Sequence, residues 1–237
     1  MNCRNCNVSM TGDFCHHCGR PAQIARVDWH YIVHEIQHVL HFEKGILHTV
    51  RELLHNPGPN IHTFITVDRS RLVKPVLFII VTSLIYSVID HFFHIEQGYI
   101  DYHDAGDSAT GQILNWVQNH YGYANIVMCV FIAFWLKLIY RAHDYNFFEI
   151  LILLCFVMGM GMLIFSVFAL FEGLTGLPAM KISGVVGVAY CTWAIGHFYD
   201  SKRVASYFKA LASYLLGMVT FTFAVMLTGF LVDLIIR

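Results

Sequence analysis

The chain has 237 residues, with 15 Lys and Arg against 16 Asp and Glu, and charged side chains make up only 13% of it. Apolar residues reach 57% and the mean hydropathy is +0.55. These values exclude intrinsic disorder and an ordinary soluble domain, where about 25% of residues are charged, and a net charge of −1 offers nucleic acid no general attraction.

The first predicted element is a zinc ribbon over residues 1–22. Cys3 and Cys6 form one C-x-x-C, and Cys15 and Cys18 form a second, with Gly12 and Gly19 at the turns. Two such pairs bring four thiolates around one ion in the tetrahedral set that Zn²⁺ prefers. The same four ligands also suit iron, and a redox dithiol pair is the alternative without metal. A ribbon this small has almost no core, so the ion would supply most of its folding energy.

The second element, residues 23–71, is an amphipathic helix with its linker. Histidine occurs 15 times, as often as Lys and Arg together, and nine of the 15 precede residue 75. From Asp28, a predicted N-cap, to Leu54, helical geometry puts Ile32, Ile36, Val39, Leu40, Leu47, Val50 and Leu54 on one face. It puts His30, His34, His38, His41, His48 and His55 on the other. Such a helix before a membrane span is expected to lie in the interface, apolar side down. Asn56-Pro57-Gly58-Pro59-Asn60 is expected to end it.

Three chemistries fit the histidine face. His34-Glu35-Ile36-Gln37-His38 matches H-E-x-x-H, in which His34 and His38 would bind zinc and Glu35 would act as general base. No third ligand stands where metzincins place it. Paired Glu35-x-x-His38 and Glu52-x-x-His55 are reminiscent of di-iron bundles, but both lie on one predicted helix. The third reading needs no catalysis: six imidazoles gaining charge as pH falls would strengthen attachment to anionic lipid.

The third element, residues 72–237, is a membrane domain. Five apolar runs, near 76–95, 123–140, 147–171, 182–199 and 210–235, approach the roughly 20 residues that a spanning helix needs. With five spans, only Lys181 and Arg237 of the 15 basic residues fall on the side opposite the N-terminus. The positive-inside rule then makes the N-terminus cytoplasmic and the C-terminus extracytoplasmic, in the cell membrane. No cleavable signal peptide is visible, and the first span is expected to serve as an uncleaved anchor. Segment 96–122 reads as a hydrated acidic loop, and Asp233 as solvated at its membrane end. Cys129, Cys155 and Cys191 read as small apolar packing residues.

Several features of the first third resemble the domain of unknown function 3667 family of bacterial membrane proteins. They are Cys3, Cys6, Phe14-Cys15-x-x-Cys18-Gly19, the 34–38 stretch, His41, Lys44-Gly45, Thr49, Leu53, Pro57-Gly58, Arg69 and Pro75. Val67-Asp68-Arg69 stands where the family pattern has Gly-Lys-Arg. The resemblance covers about residues 1–78 and implies a zinc ribbon, an amphipathic linker and several spans, without an activity.

The expected protein is therefore an all-α integral membrane protein with about five spans behind a small zinc ribbon. Its expected role is non-catalytic docking or sensing, with the lipid bilayer and a cytoplasmic protein as partners, one structural Zn²⁺ and no nucleic acid. A membrane-bound zinc metallohydrolase using residues 34–38, with a second zinc site, is one alternative. A transporter of small solutes or cations is the other.

Overall fold

A computed structural model describes residues 8–9, 12, 16–17, 42–69, 71–95 and 109–236. The ribbon cysteines Cys3, Cys6, Cys15 and Cys18, and His34, Glu35 and His38, lie outside the described residues. The chain divides into compact units at Lys44/Gly45, and the contacts that follow belong to the second unit. Eight helices are described: α1 Phe42–His55, α2 Pro57–Thr66, α3 Pro75–Phe93, α4 Ala109–Asn119, α5 Tyr121–Ile139, α6 Phe147–Thr175, α7 Met180–Asp200 and α8 Val204–Ile236.

Local sequence explains several of their ends. Pro75 opens α3 at a position whose N–H needs no partner, and His94 closes it in the left-handed region at φ 53°. Asn146 and Glu149 form a reciprocal capping box on α6, at 2.9 and 2.8 Å, and Gly176 ends that helix at φ 72°. The first turn of α7 has no side-chain cap of its own, but Glu172 Oε2 accepts from Met180 N at 2.8 Å.

Among the described residues, four helices are long and apolar enough to cross a membrane: α3, α5, α6 and α8. The remaining predicted run forms α7, a helix of 21 residues. That is about 31 Å of helix. It does not reach the hydropathy of the other four, because Gly184, Gly187, Gly196, Lys181 and His197 dilute it.

The core lies around α6, whose most apolar window is 67% buried against 11% for that of α8. Helices α3, α5 and α7 pack on α6, and α2 joins them. Phe156 of α6 takes Phe64 of α2 edge-on at 5.2 Å and Phe78 of α3 at 5.9 Å. Helix α8 packs on α5, α7 and α4.

Two expectations need correction. Part of the segment read as a hydrated loop is helix α4, packed on α8. Asp233 is not simply solvated: its carboxylate accepts from Ala109 N at 2.6 Å and from Thr110 Oγ1 at 3.3 Å, holding the first turn of α4. The helix dipole favours a negative charge there. Replacing Asp233 by Ala is expected to cost about 1 kcal/mol of α4 stability. Amide exchange at residues 109–112 should then quicken about fivefold, and unchanged exchange would refute the cap.

Candidate functional site

The described residues with the densest polar organisation form an elbow between α1 and α2 and an aromatic cluster beside it. Helix α1 buries Ile46, Thr49 and Leu53, a seam one residue away from the apolar face read in the sequence. Leu47 and Leu54, of the face expected to lie toward the membrane, are 71% and 51% exposed. His48 and His55 are exposed, as the amphipathic pattern predicts.

Thr49 ties the two ends of the elbow together. Its hydroxyl donates to Gly45 O at 2.7 Å and accepts from Val73 N at 3.1 Å. Arg71 adds an ion pair to Glu52 at 3.1 Å. Both groups are partly exposed, so the pair contributes little by itself.

The chain does turn after His55, but the Asn-Pro-Gly-Pro-Asn segment is not only a terminator. Pro57 opens α2, and the helix continues to Thr66. Asn60 Nδ2 donates back to Glu52 O at 3.0 Å, fixing the angle between α1 and α2.

This elbow is docked on α7. The N–H of Gly58 donates to His197 Nδ1 at 3.3 Å. The Tyr190 hydroxyl donates to Leu53 O at 3.0 Å. A Cβ on residue 58 would stand 2.6 Å from the His197 carbonyl carbon and 2.8 Å from Phe198 N, so only glycine lets α2 approach this closely. Trp193 stacks on the other side of the His197 ring at 5.7 Å and 24°.

The neighbouring cluster joins the α5–α6 turn to the last turn of α7. Tyr140 stacks on Tyr199 at 3.8 Å and 11°. His143 meets the Tyr199 ring edge-on at 5.3 Å, and Tyr145 does so at 5.7 Å. Tyr145 also reaches His62 of α2 at 6.4 Å, which links cluster and elbow. Tyr140 donates its hydroxyl to Ser206 O, and Lys209 Nζ stands 5.9 Å over the Tyr140 ring. Burial, with the nearby Glu149 carboxylate, raises the Tyr145 phenol, so it stays protonated at neutral pH.

His143 Nδ1, Thr192 Oγ1 and the Tyr199 hydroxyl are buried with no hydrogen-bond partner among the described residues. Among the described residues no three His, Cys, Asp or Glu side chains converge as a metal group. An apolar groove lined by Val188, Thr192, Trp193, Tyr207 and Leu211 runs between α7 and α8.

Of the histidines singled out in the sequence, His48 and His55 are described. His55 Nδ1 contacts Arg51 O at 2.9 Å, and His48 stands exposed. The residues that make the site, Thr49, Gly58, Asn60, Tyr140, Tyr190, His197 and Tyr199, were not predicted as such. Three of them gave a partial signal: Thr49 and Gly58 as parts of the family pattern, and Gly58 and Asn60 as parts of a turn.

Residues 43–87 match the family model described as Protein of unknown function (DUF3667). Over that stretch the chain resembles this family. The matched segment contains the elbow and the first two thirds of α3, and it begins after the residues read in the sequence as a ribbon, where the expected extent was 1–78. No curated protein and no solved structure matches the chain.

Proposed function

We propose that this is a non-catalytic docking or sensing protein of the cell membrane, in which a cytoplasmic zinc-binding module reports to the bundle through the α1–α2 elbow. The observation that supports it most is the hydrogen bond from Gly58 to His197, which couples the segment before the membrane to a helix far along the chain. We also read α7 as a fifth span. The links 176–179 and 201–203 are short, so α7 must run back between α6 and α8 over most of their length. Five spans, with the basic residues gathered on one side, put the N-terminus in the cytoplasm and the C-terminus outside. Cys3, Cys6, Cys15 and Cys18 would hold one zinc there.

The elbow contact has a chemical condition. It needs an acceptor at residue 197, and His197 Nδ1 supplies it facing the positive end of the α2 dipole at Gly58.

Hydrogen exchange of the full-length protein in liposomes tests this coupling. Amides 53–60 should be protected in the parent protein and exchange faster in His197→Ala, which removes the acceptor. His197→Asn, which retains one, should stay protected. Equal protection in all three proteins would dismiss the coupling. Metal analysis tests the module: one zinc per chain, lost when Cys3 and Cys6 become Ser. Peptide hydrolysis dependent on Glu35 would support the metallohydrolase instead, and solute flux in liposomes would support the transporter.

A further inference from the structure

Thr192 of α7 differs from its fellow hydroxyl residues. Every other Ser and Thr of α3, α6, α7 and α8 has a hydrogen-bond partner, for most of them the carbonyl three or four residues back. Thr192 Oγ1 is buried with no partner among the described residues. An unpaired hydroxyl is costly where no water can serve it. Thr192 also belongs to the lining of the groove between α7 and α8. Threonine populates two rotamers in a helix, so a turn about Cα–Cβ brings the hydroxyl to the groove with no hydrogen bond lost.

The groove has the size of a ligand site. Its volume is about 590 Å³, within the roughly 300–1,000 Å³ of small-molecule pockets. Gly184 forms part of its wall, a Cβ there would meet nothing within 4 Å, and the neighbouring Val185 is 71% exposed, so this end is open. Helix α8, the opposite wall, is long and apolar enough to cross the membrane, so the opening faces hydrocarbon. No lining residue is charged, which leaves an ionised carboxylate or phosphate without a counter-charge. The groove is also continuous with the seat of the elbow. Trp193 lines it, stacks on His197 and stands 5.8 Å from the Tyr190 ring.

We propose that this groove binds a neutral lipophile from the bilayer, whose hydroxyl or carbonyl oxygen pairs with Thr192 and whose apolar body lies against Val188, Trp193 and Leu211. An apolar body gains little by moving from lipid to an apolar wall, because lipid already surrounds it with like groups. Selection therefore falls to the oxygen, the one group that hydrocarbon leaves unpaired. An occupant packed on Trp193 steadies the His197 ring that Gly58 donates to. That effect on the elbow rests on the docking reading above; the binding does not.

Full-length protein in liposomes, irradiated with a trace of diazirine-bearing octadecanol and digested with trypsin, tests the site. Lys181 and Lys202 release residues 182–202 of α7 as one peptide. Its labelling should fall several-fold with excess plain octadecanol and stay unchanged with excess octadecane, which has no oxygen. Thr192→Val keeps the shape without the hydroxyl and should lower the competable labelling about fivefold, the worth of one hydrogen bond. Thr192→Ser should retain it. Equal competition by octadecane would mean ordinary acyl-chain contact and overturns the proposal, as does full competable labelling in Thr192→Val. The labelling is read without the elbow, so it stands or falls separately from the exchange of amides 53–60.

Discussion

Gly217→Leu should lower the thermal midpoint of the detergent-solubilised protein by roughly 5–10 °C, the largest loss expected from one substitution in the bundle. Gly217 lies on α8 where that helix crosses α5. A Cβ there would stand 2.6 Å from Ile132 Cα and 2.9 Å from Ile132 N. Those atoms are backbone and cannot rotate away, so the helices must part along their length. Small residues at helix crossings in lipid serve this close approach. Overpacking costs about 1–3 kcal/mol. The better helix propensity of leucine, at most about 1 kcal/mol over glycine, does not offset it. Gly184→Ala on α7 is the control, since a Cβ there meets nothing within 4 Å. It should be neutral or slightly stabilising. Equal losses for the two variants would show that the α5–α8 crossing is not as close as described.

Gly58→Ala is expected to undock the elbow while the bundle stays folded. The added methyl would meet the backbone of His197 and Phe198 on α7, so α2 has to lift from it. The Gly58–His197 and Tyr190–Leu53 hydrogen bonds then lengthen together. A penalty of about 1–3 kcal/mol corresponds to roughly fivefold to 150-fold faster amide exchange. The increase should be confined to residues 45–66. Exchange within α6 should change little, because α3, α5 and α7 still cover it and only the Phe64–Phe156 contact with α2 is loosened. Faster exchange throughout the chain would mean that the elbow is part of the bundle's folding core rather than a docked unit. No change would remove the close approach.

What could be read from the sequence divides along physical lines. The apolar runs near 76–95, 123–140, 147–171, 182–199 and 210–235 became α3 and α5 to α8, with ends displaced by six residues at most. Length and hydropathy are local properties and survive without tertiary information. Helix α4 was missed because Asp233, which holds its first turn, is 124 residues away. Helix α2 was missed because Pro57 and Pro59 break a helix from one side and start one from the other. The buried seam of α1 runs through Thr49, a polar residue, and so lay outside any hydropathy count. Its hydroxyl is satisfied by Gly45 and Val73, and that satisfaction is visible only once the chain has folded back. Gly58 and His197 illustrate the same limit: neither is apolar, and each has its place only because the other is there. The ribbon and H-E-x-x-H residues, by contrast, were read from spacing alone and lie outside the described residues.

The bond from Gly58 to His197 spans 139 residues of chain. A ribosome working at about 5–20 residues per second needs roughly 7–28 s to make that stretch. For that time the elbow exists without the helix it rests on, with the Gly58 N–H and the Leu53 carbonyl still to be paired by α7. Thr49 and Val73 are only 24 residues apart, so the base of the elbow closes early and its tip late. Assembly of this protein therefore includes an interval in which the base of the elbow is closed while its tip still lacks the helix it docks on.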